Sequence, residues 1–232
     1  MISRIKLAEH LCSGLAGWHQ LQVAQNLGTL SGEDSARNII AQIVNSQGRF
    51  APATSQLPKN WGATKRRIDI ALLGRTQNAT TWYGSVEVKW PGTAFDPHLV
   101  REQIVQDALR VTFVETSVLN ANFVLLGGAV ESIRILFDDA HPNAADRESR
   151  RLAFGSLFSR NLTTPDGFLN NSRWSKEFPE ACDRVPKNVL GNFNGKIKTK
   201  LLALSESRFS SAGVVGSVFL WQCNRTRGAA AA

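Results

Sequence analysis

Apolar residues recur with helical spacing along the first part of the chain. In residues 31–44 they form one stripe at intervals of three and four positions, which is typical of an amphipathic helix. Ser31, with Asp34 three residues later, resembles a capping box, so we expect this helix to begin at Ser31. An earlier helix is predicted over residues 3–26, with an interruption near Gly14 to Trp18.

The next segments have the alternation and the β-branched residues of strands. "RRIDIALLG" (66–74) and "WYGSVEVKW" (82–90) are separated by a polar turn, which favours a pair of neighbouring strands. A short strand is predicted before them at residues 48–53. A helix is predicted over 98–115, and a Val- and Leu-rich strand over 120–129.

The pattern is weaker beyond Asp138. Residues 145–159 favour a helix, and residues 160–186 have the Asn, Pro and Gly content of a loop. Residues 186–205 are predicted as a helix or a broken pair of helices, and "GVVGSVFLWQC" (213–223) as a final buried strand. On the predicted helix we interpret Lys196, Lys198 and Lys200 as a solvated face rather than a DNA contact.

These elements predict the α/β class, with a mixed β-sheet sandwiched by helices. We expect a single domain over residues 1–232, with the core at 30–129 and a C-terminal α/β extension over 138–232. The chain is 43% hydrophobic, which is enough to build a sizeable core. No shift in composition marks a linker.

The charge balance favours a polyanionic partner. The chain has 27 Lys and Arg against 19 Asp and Glu, a net charge of +8, which suits nucleic acid or an anionic surface. No apolar stretch reaches the roughly 18 residues of a membrane span, so we expect no membrane partner. The cysteines, Cys12, Cys182 and Cys223, are far apart, which favours a reducing compartment and a cytoplasmic location.

Three ionisable residues occupy the two central predicted strands. Because side chains alternate across a strand, Glu87 and Lys89 share a face, and pairing through the turn brings Asp69 beside Glu87. Two neighbouring carboxylates repel each other, and a divalent cation relieves that repulsion. Mg²⁺ prefers such oxygen ligands, and a lysine beside it can orient water or balance developing charge. The alternative is a solvated sheet face with a cross-strand salt bridge.

The order Asp69, then Glu87-Val88-Lys89, on strand, turn and strand, resembles the PD-(D/E)XK nuclease superfamily. The resemblance covers residues 30–129 and implies a restriction-endonuclease-like core that hydrolyses DNA to products with 5′-phosphates. It implies Mg²⁺, with Mn²⁺ as a substitute, bound by Asp69, Glu87 and the Val88 carbonyl. It also implies a catalytic role for Lys89 and a further acidic ligand at Glu33, although Glu33 alternatively suits only the helix dipole.

The chain departs from the superfamily pattern in two places. Ile68 stands where many members have a proline before the acid. Some branches place a polar residue near the metal on the following helix, where this chain has Gln103 and Gln106. The tyrosine that exonuclease branches carry four residues further on is replaced by Asp107 or Arg110. We therefore expect an endonuclease.

Contacts to nucleic acid are predicted around Asp69, Glu87 and Lys89. A basic run directly before Asp69 is placed to contact phosphates, although a solvated loop end is the alternative. Arg37 either contacts nucleic acid or pairs with Glu33, one turn earlier. The residues assigned to nucleic-acid binding are Arg37, Lys65, Arg66, Arg67 and Gln103.

The favoured hypothesis is a Mg²⁺-dependent deoxyribonuclease with a restriction or defence role. The superfamily's restriction enzymes are often dimers that cut both strands, so the resemblance suggests a homodimer. The sequence leaves RNA open as a substrate. Two alternatives remain: a non-catalytic nucleic-acid-binding module that retains the fold, and a partner-binding subunit of a larger complex.

Overall fold

The chain forms five helices and seven strands within the residues that the structure, a computed structural model, describes. These residues are 3–27, 32–48, 50–56, 67–74, 81–92, 94–114, 120–138, 145–170, 176–179, 181, 185, 196–209 and 213–226. The helices are α1 (Arg4–Ala24), α2 (Glu33–Ser46), α3 (Pro97–Thr112), α4 (Val130–Asp138) and α5 (Ala145–Leu157). The strands are β1 (Phe50–Gln56), β2 (Ile68–Gly74), β3 (Trp82–Lys89), β4 (Ala121–Ala129), β5 (Gly167–Asn170), β6 (Lys196–Phe209) and β7 (Gly213–Thr226).

All seven strands join one sheet in the order β1-β2-β3-β4-β7-β6-β5. β3 and β4 run parallel, and the other neighbouring strands pair antiparallel. A parallel pair needs a crossover connection, and α3 supplies it between β3 and β4. The predicted α/β class with a mixed sheet is therefore confirmed, and the C-terminal strands extend the same sheet.

Helices cover both faces of this sheet with apolar layers. Val88 of β3 belongs to one buried cluster with Leu11 of α1 and Ile40 of α2. On the opposite face, Val124 of β4 belongs to a second cluster with Ile104 of α3. The alternation of β3 therefore points Val88 toward α1 and α2, and points Glu87 and Lys89 toward α3.

The order of elements between α2 and β4 agrees with the prediction, and two details at the helices differ. α1 continues without a break through Gly14, where a Cβ would collide with Ile43 of α2. This glycine therefore permits close helix packing rather than ending the helix. The N-cap of α2 is Gly32, which makes no side-chain cap bond, and the predicted cap Ser31 lies outside the described residues.

The C-terminal predictions were wrong for two strands. β6 occupies residues 196–205 of the helix predicted over residues 186–205, of which 186–195 lie outside the described residues, and β5 lies within the predicted loop. Ile197, Thr199 and Leu201 are buried at every second position, which is the alternation of a strand, and β6 pairs with β7 along nearly its whole length. Within the described residues, no helix has the length and apolar character needed to cross a membrane.

Gly84 offers a test of the β3–β4 packing. A Cβ at this position would overlap the backbone carbonyl of Ala121 on β4, so Gly84→Ala should lower the free energy of unfolding by about 1–3 kcal/mol. Gly155→Ala in α5 is the control, because a Cβ there meets no atom beyond its own helical turn. That change should be neutral or stabilising by up to about 1 kcal/mol. Urea denaturation measures both, and equal midpoints would contradict the described packing.

Candidate active site

β2 and β3 bring Asp69 and Glu87 together. Ile70 pairs with Val86, and this antiparallel register places Asp69 opposite Glu87. The Val88 backbone N–H donates a hydrogen bond to Asp69 Oδ2 at 2.9 Å. Lys89 follows two positions later on the same face as Glu87. The three motif residues therefore converge at the end of the sheet where β2 begins and β3 ends.

Helix α3 covers these residues and adds two more charges. Glu87 is 0% exposed, and Arg110 Nη2 lies 3.1 Å from Glu87 Oε1. Asp107 is 2% exposed and is hydrogen-bonded to Arg110. Its Oδ2 atom lies 3.3 Å from Lys89 Nζ. The alternative of a solvated sheet face is therefore wrong, because the charges of β3 lie beneath a helix.

Helix α2 contributes Glu33 and Arg37 from the other side of the strand ends. Glu33 Oε2 lies 3.3 Å from Lys89 Nζ. Arg37, one turn later, is hydrogen-bonded to Glu33, and its Nε lies 3.2 Å from Asp69 Oδ1. Glu33 thus contacts the site through Lys89. The pairing of Arg37 with Glu33, which is one of the two alternatives predicted from the sequence, is present.

Together these side chains form a cluster with more negative than positive groups, which we name the charged cluster. Four carboxylates face three cations, so one negative charge is in excess when every group is ionised. The members are Glu33, Arg37, Asp69, Glu87, Lys89, Asp107 and Arg110.

The surroundings of Glu87 disfavour its ionised form. Burial raises the pKa of Glu87 well above its ordinary value, and the carboxylates of Asp107 and Asp69 raise it further against the opposing effect of Arg110. For Lys89, burial lowers the pKa, but Asp107 and Glu33 outweigh it, so the pKa is raised overall. Lys89 therefore stays protonated, and Glu87 is the group that a proton or a cation would stabilise.

The hydrogen bonding identifies the atoms best suited to a ligand. Both carboxylate oxygens of Glu87 and Oδ2 of Asp107 are buried without a hydrogen-bond partner. The ion-pair distances to Arg110 and Lys89 are short, but their geometry is not that of a hydrogen bond. Such unsatisfied oxygens are costly, and carboxylate oxygens are what Mg²⁺ binds, so Glu87 and Asp107 have donor atoms that fit this ion. The two oxygens of Asp69 already contact the Val88 N–H and Arg37.

The fit involves two carboxylates rather than a closed cage. In the part of the chain that the structure describes, no three His, Cys, Asp or Glu side chains are arranged to hold a metal ion. Mg²⁺ often uses one or two carboxylates and keeps several waters. Asp69 and Glu87 are the pair on facing strands, and any cation there competes with Arg37 and Arg110.

The remaining predicted residues lie around the cluster or beyond the described chain. Arg67 is exposed at the start of β2, and its backbone carbonyl accepts a hydrogen bond of 3.3 Å from Arg110 Nη1. Gln103 is half-buried on α3, one turn before Asp107, and no described hydrogen bond links it to the cluster. Lys65 and Arg66 lie outside the described residues. The Val88 carbonyl as a metal ligand stays a prediction.

Sequence reasoning did not assign Asp107 and Arg110 to the site. They are three residues apart on one predicted helix, and each comes four residues after a glutamine, Gln103 or Gln106. That signal shows a shared helical face but not which face covers the sheet, which depends on how α3 packs.

Comparisons with family models, with curated proteins and with solved structures find no match for this chain.

Arg110 should be more important for stability than its charge alone suggests. Arg110→Ala leaves Glu87 and Asp107 buried without their guanidinium partner, so we expect a loss of about 3–5 kcal/mol in the free energy of unfolding. The control is Arg134→Ala, which removes an exposed i,i+3 pair with Glu131 and should cost less than about 1 kcal/mol. Chemical denaturation compares the two, and equal losses would contradict the described burial.

The raised pKa of Glu87 predicts a pH dependence of stability in protein treated with EDTA. Because the folded-state pKa lies above the unfolded value, protonated Glu87 supports the fold below the ordinary glutamate pKa. That contribution is lost as the pH rises through the folded-state pKa. Glu87→Gln should therefore gain stability relative to wild type as the pH rises through this window.

Denaturation midpoints across the pH range measure this difference. Glu131→Gln is the control, since it removes an exposed glutamate of α4 away from the charged cluster. Parallel profiles for wild type and Glu87→Gln would mean that Glu87 has the same pKa in the folded and the unfolded protein.

Proposed function

We propose that this chain is a Mg²⁺-dependent nuclease of the PD-(D/E)XK type that hydrolyses DNA phosphodiester bonds. The observation that carries the proposal is the position of Asp69 opposite Glu87 on paired strands, with Lys89 two positions later on the same covered face. The net charge of +8 supports a polyanionic substrate.

Asp69 and Glu87 are the residues that would hold Mg²⁺ or Mn²⁺, with Glu33 as a further acid on the other side of Lys89. When bound, such an ion activates water and stabilises charge on a scissile phosphate. Lys89 lies between Glu33 and Asp107, 3.3 Å from an oxygen of each. These contacts keep the ammonium group charged and in place, where it balances the charge that develops during hydrolysis.

Arg37 and Arg110 supply the phosphate-binding side of the proposed site. Each guanidinium group already lies beside a carboxylate of the charged cluster, at Asp69 and Glu87 respectively. A phosphate at the cluster would therefore meet two planar donors that suit its oxygens. This supports the assignment of Arg37 to nucleic-acid binding.

The resemblance supplies the finer part of the proposal. It favours endonucleolytic cleavage in a restriction or defence role, by a homodimer that cuts both strands. The cytoplasmic location is favoured instead by the three widely separated cysteines. DNA is the favoured substrate, and RNA is the alternative that a direct assay separates from it.

A second candidate function is favoured by the ion pairs themselves. Glu33, Asp69, Glu87 and Asp107 each have a cation of the same chain within ion-pair distance. In this alternative the cluster only ties α2 and α3 to the central strands, and the protein binds nucleic acid without cleaving it. The two candidates differ in whether Mg²⁺ or Mn²⁺ produces cleavage.

Incubation with supercoiled DNA, linear DNA and RNA, in Mg²⁺, Mn²⁺ or EDTA, tests the proposal. We expect metal-dependent cleavage of DNA by wild type, and losses of at least about 10²–10³-fold in rate for Asp69→Asn and Lys89→Ala. Asp34→Asn is the matched control, because Asp34 pairs with the same Arg37 as Asp69 does but is 92% exposed on the first turn of α2. It should cleave at nearly the wild-type rate.

Binding in EDTA accompanies the cleavage assay. Wild-type binding by Asp69→Asn shows that the variant is folded, so its lost cleavage reports chemistry. Wild-type protein that binds DNA but leaves it intact with either metal would establish the non-catalytic module instead. Equal losses in Asp34→Asn and Asp69→Asn would remove Asp69 from the metal site.

A further inference from the structure

The lysines of β6 share one face because the segment is a strand. On a helix, positions 196, 198 and 200 would point in different directions, whereas on β6 they point the same way, about 6.5–7 Å apart. The opposite face holds Ile197 and Thr199, which are buried, and Thr199 is hydrogen-bonded to the Leu157 carbonyl of α5. The lysines therefore occupy the outer face of this end of the sheet.

This end of the face lies beyond the cover of α1. Helix α1 packs at the far end of β6, where Ser207 Oγ donates a hydrogen bond of 2.8 Å to the Ala16 carbonyl. Lys196 and Lys200 are exposed, and the Lys198 side chain is 36% exposed. Among the described residues Lys198 pairs with Asp166, while Lys196 and Lys200 make no ion pair.

An exposed aromatic ring lies beside the lysines. Phe168 of β5 is opposite Lys198 in the register, and Lys198 Nζ lies 5.6 Å from the ring centroid. Phe168 is 47% exposed, so its ring is accessible. Aligned cations with an accessible ring are the two elements that bind single-stranded nucleic acid, through phosphates and stacked bases respectively.

We propose that Phe168, Lys196, Lys198 and Lys200, which we name the lysine face, bind a single strand of nucleic acid. The lysines follow an extended line along β6 that suits the successive phosphates of an extended strand. Phe168 can stack only on a base that is free of duplex stacking, which favours single strands over duplex.

The lysine face lies on the other side of the sheet from Glu87. Across the sheet Glu87 pairs with Val124, Val124 with Trp221, and Trp221 with Leu201. The side chains of the last three pack on the α3 side. The lysines alternate with Leu201 on β6 and therefore point to the other side. The inference therefore does not depend on the nuclease proposal, and binding can be measured without cleavage.

Fluorescence anisotropy in EDTA tests the lysine face, with a labelled polypyrimidine strand of about 16 nucleotides. The triple variant Lys196→Gln, Lys198→Gln, Lys200→Gln should weaken binding and reduce the slope of log K against log salt by about 2. The charge-matched control is Arg4→Gln, Lys6→Gln, Lys176→Gln, which neutralises three exposed residues elsewhere. It should change the slope by much less.

Phe168→Ala separates stacking from charge. It should weaken binding of the single strand by about 5- to 150-fold with an unchanged salt slope, and leave binding of the matching duplex nearly unaltered. Equal slopes and affinities for the two triple variants would overturn the proposal. A second result would also overturn it: the lysine triple variant binds the strand normally but no longer binds phosphatidylserine vesicles. The lysine face would then contact anionic lipid.

Discussion

The burial of Glu87 on β3 beneath α3 is the constraint on which the arrangement of this region depends. A fully buried carboxylate is costly unless a partner compensates it. Arg110 provides that partner and thereby positions α3 over β3. Asp107 in turn balances Arg110 and holds Lys89, and Lys89 holds Glu33 at the start of α2. One chain of ion pairs therefore connects helices on opposite sides of the sheet.

Stability alone gives little reason for such a cluster. Buried ion pairs often contribute no more than the apolar residues that would replace them. The apolar layers around Val88 and Val124 already pack helices on both faces. Charged groups in this position, with the pKa of Glu87 raised by its surroundings, are typical of functional sites, which is why the cluster supports a catalytic proposal more strongly than a structural one.

The positive charge of the chain is unevenly placed among the described residues. The charged cluster has more carboxylates than cations, while the lysine face has exposed cations and one acidic partner, Asp166. Glu87 and the lysine face lie on opposite sides of one sheet because alternate residues of each strand point to opposite sides. The sheet thus separates the buried carboxylate of Glu87 beside α3 from the exposed lysines of β6.

The local sequence pattern was enough to predict the elements from α2 to β4, because helical and strand periodicity are short-range properties. It also predicted that Asp69 and Glu87 converge, because a short connection favours pairing of the two strands that carry them. The entry of Asp107 and Arg110 into the site depends on how α3 packs on the sheet, which no local spacing specifies. β6 was mistaken for a helix because its alternation is stabilised by β7, a partner that only the folded chain brings alongside it. The tertiary structure alone therefore decided which charges are buried together, and which lysines share a surface.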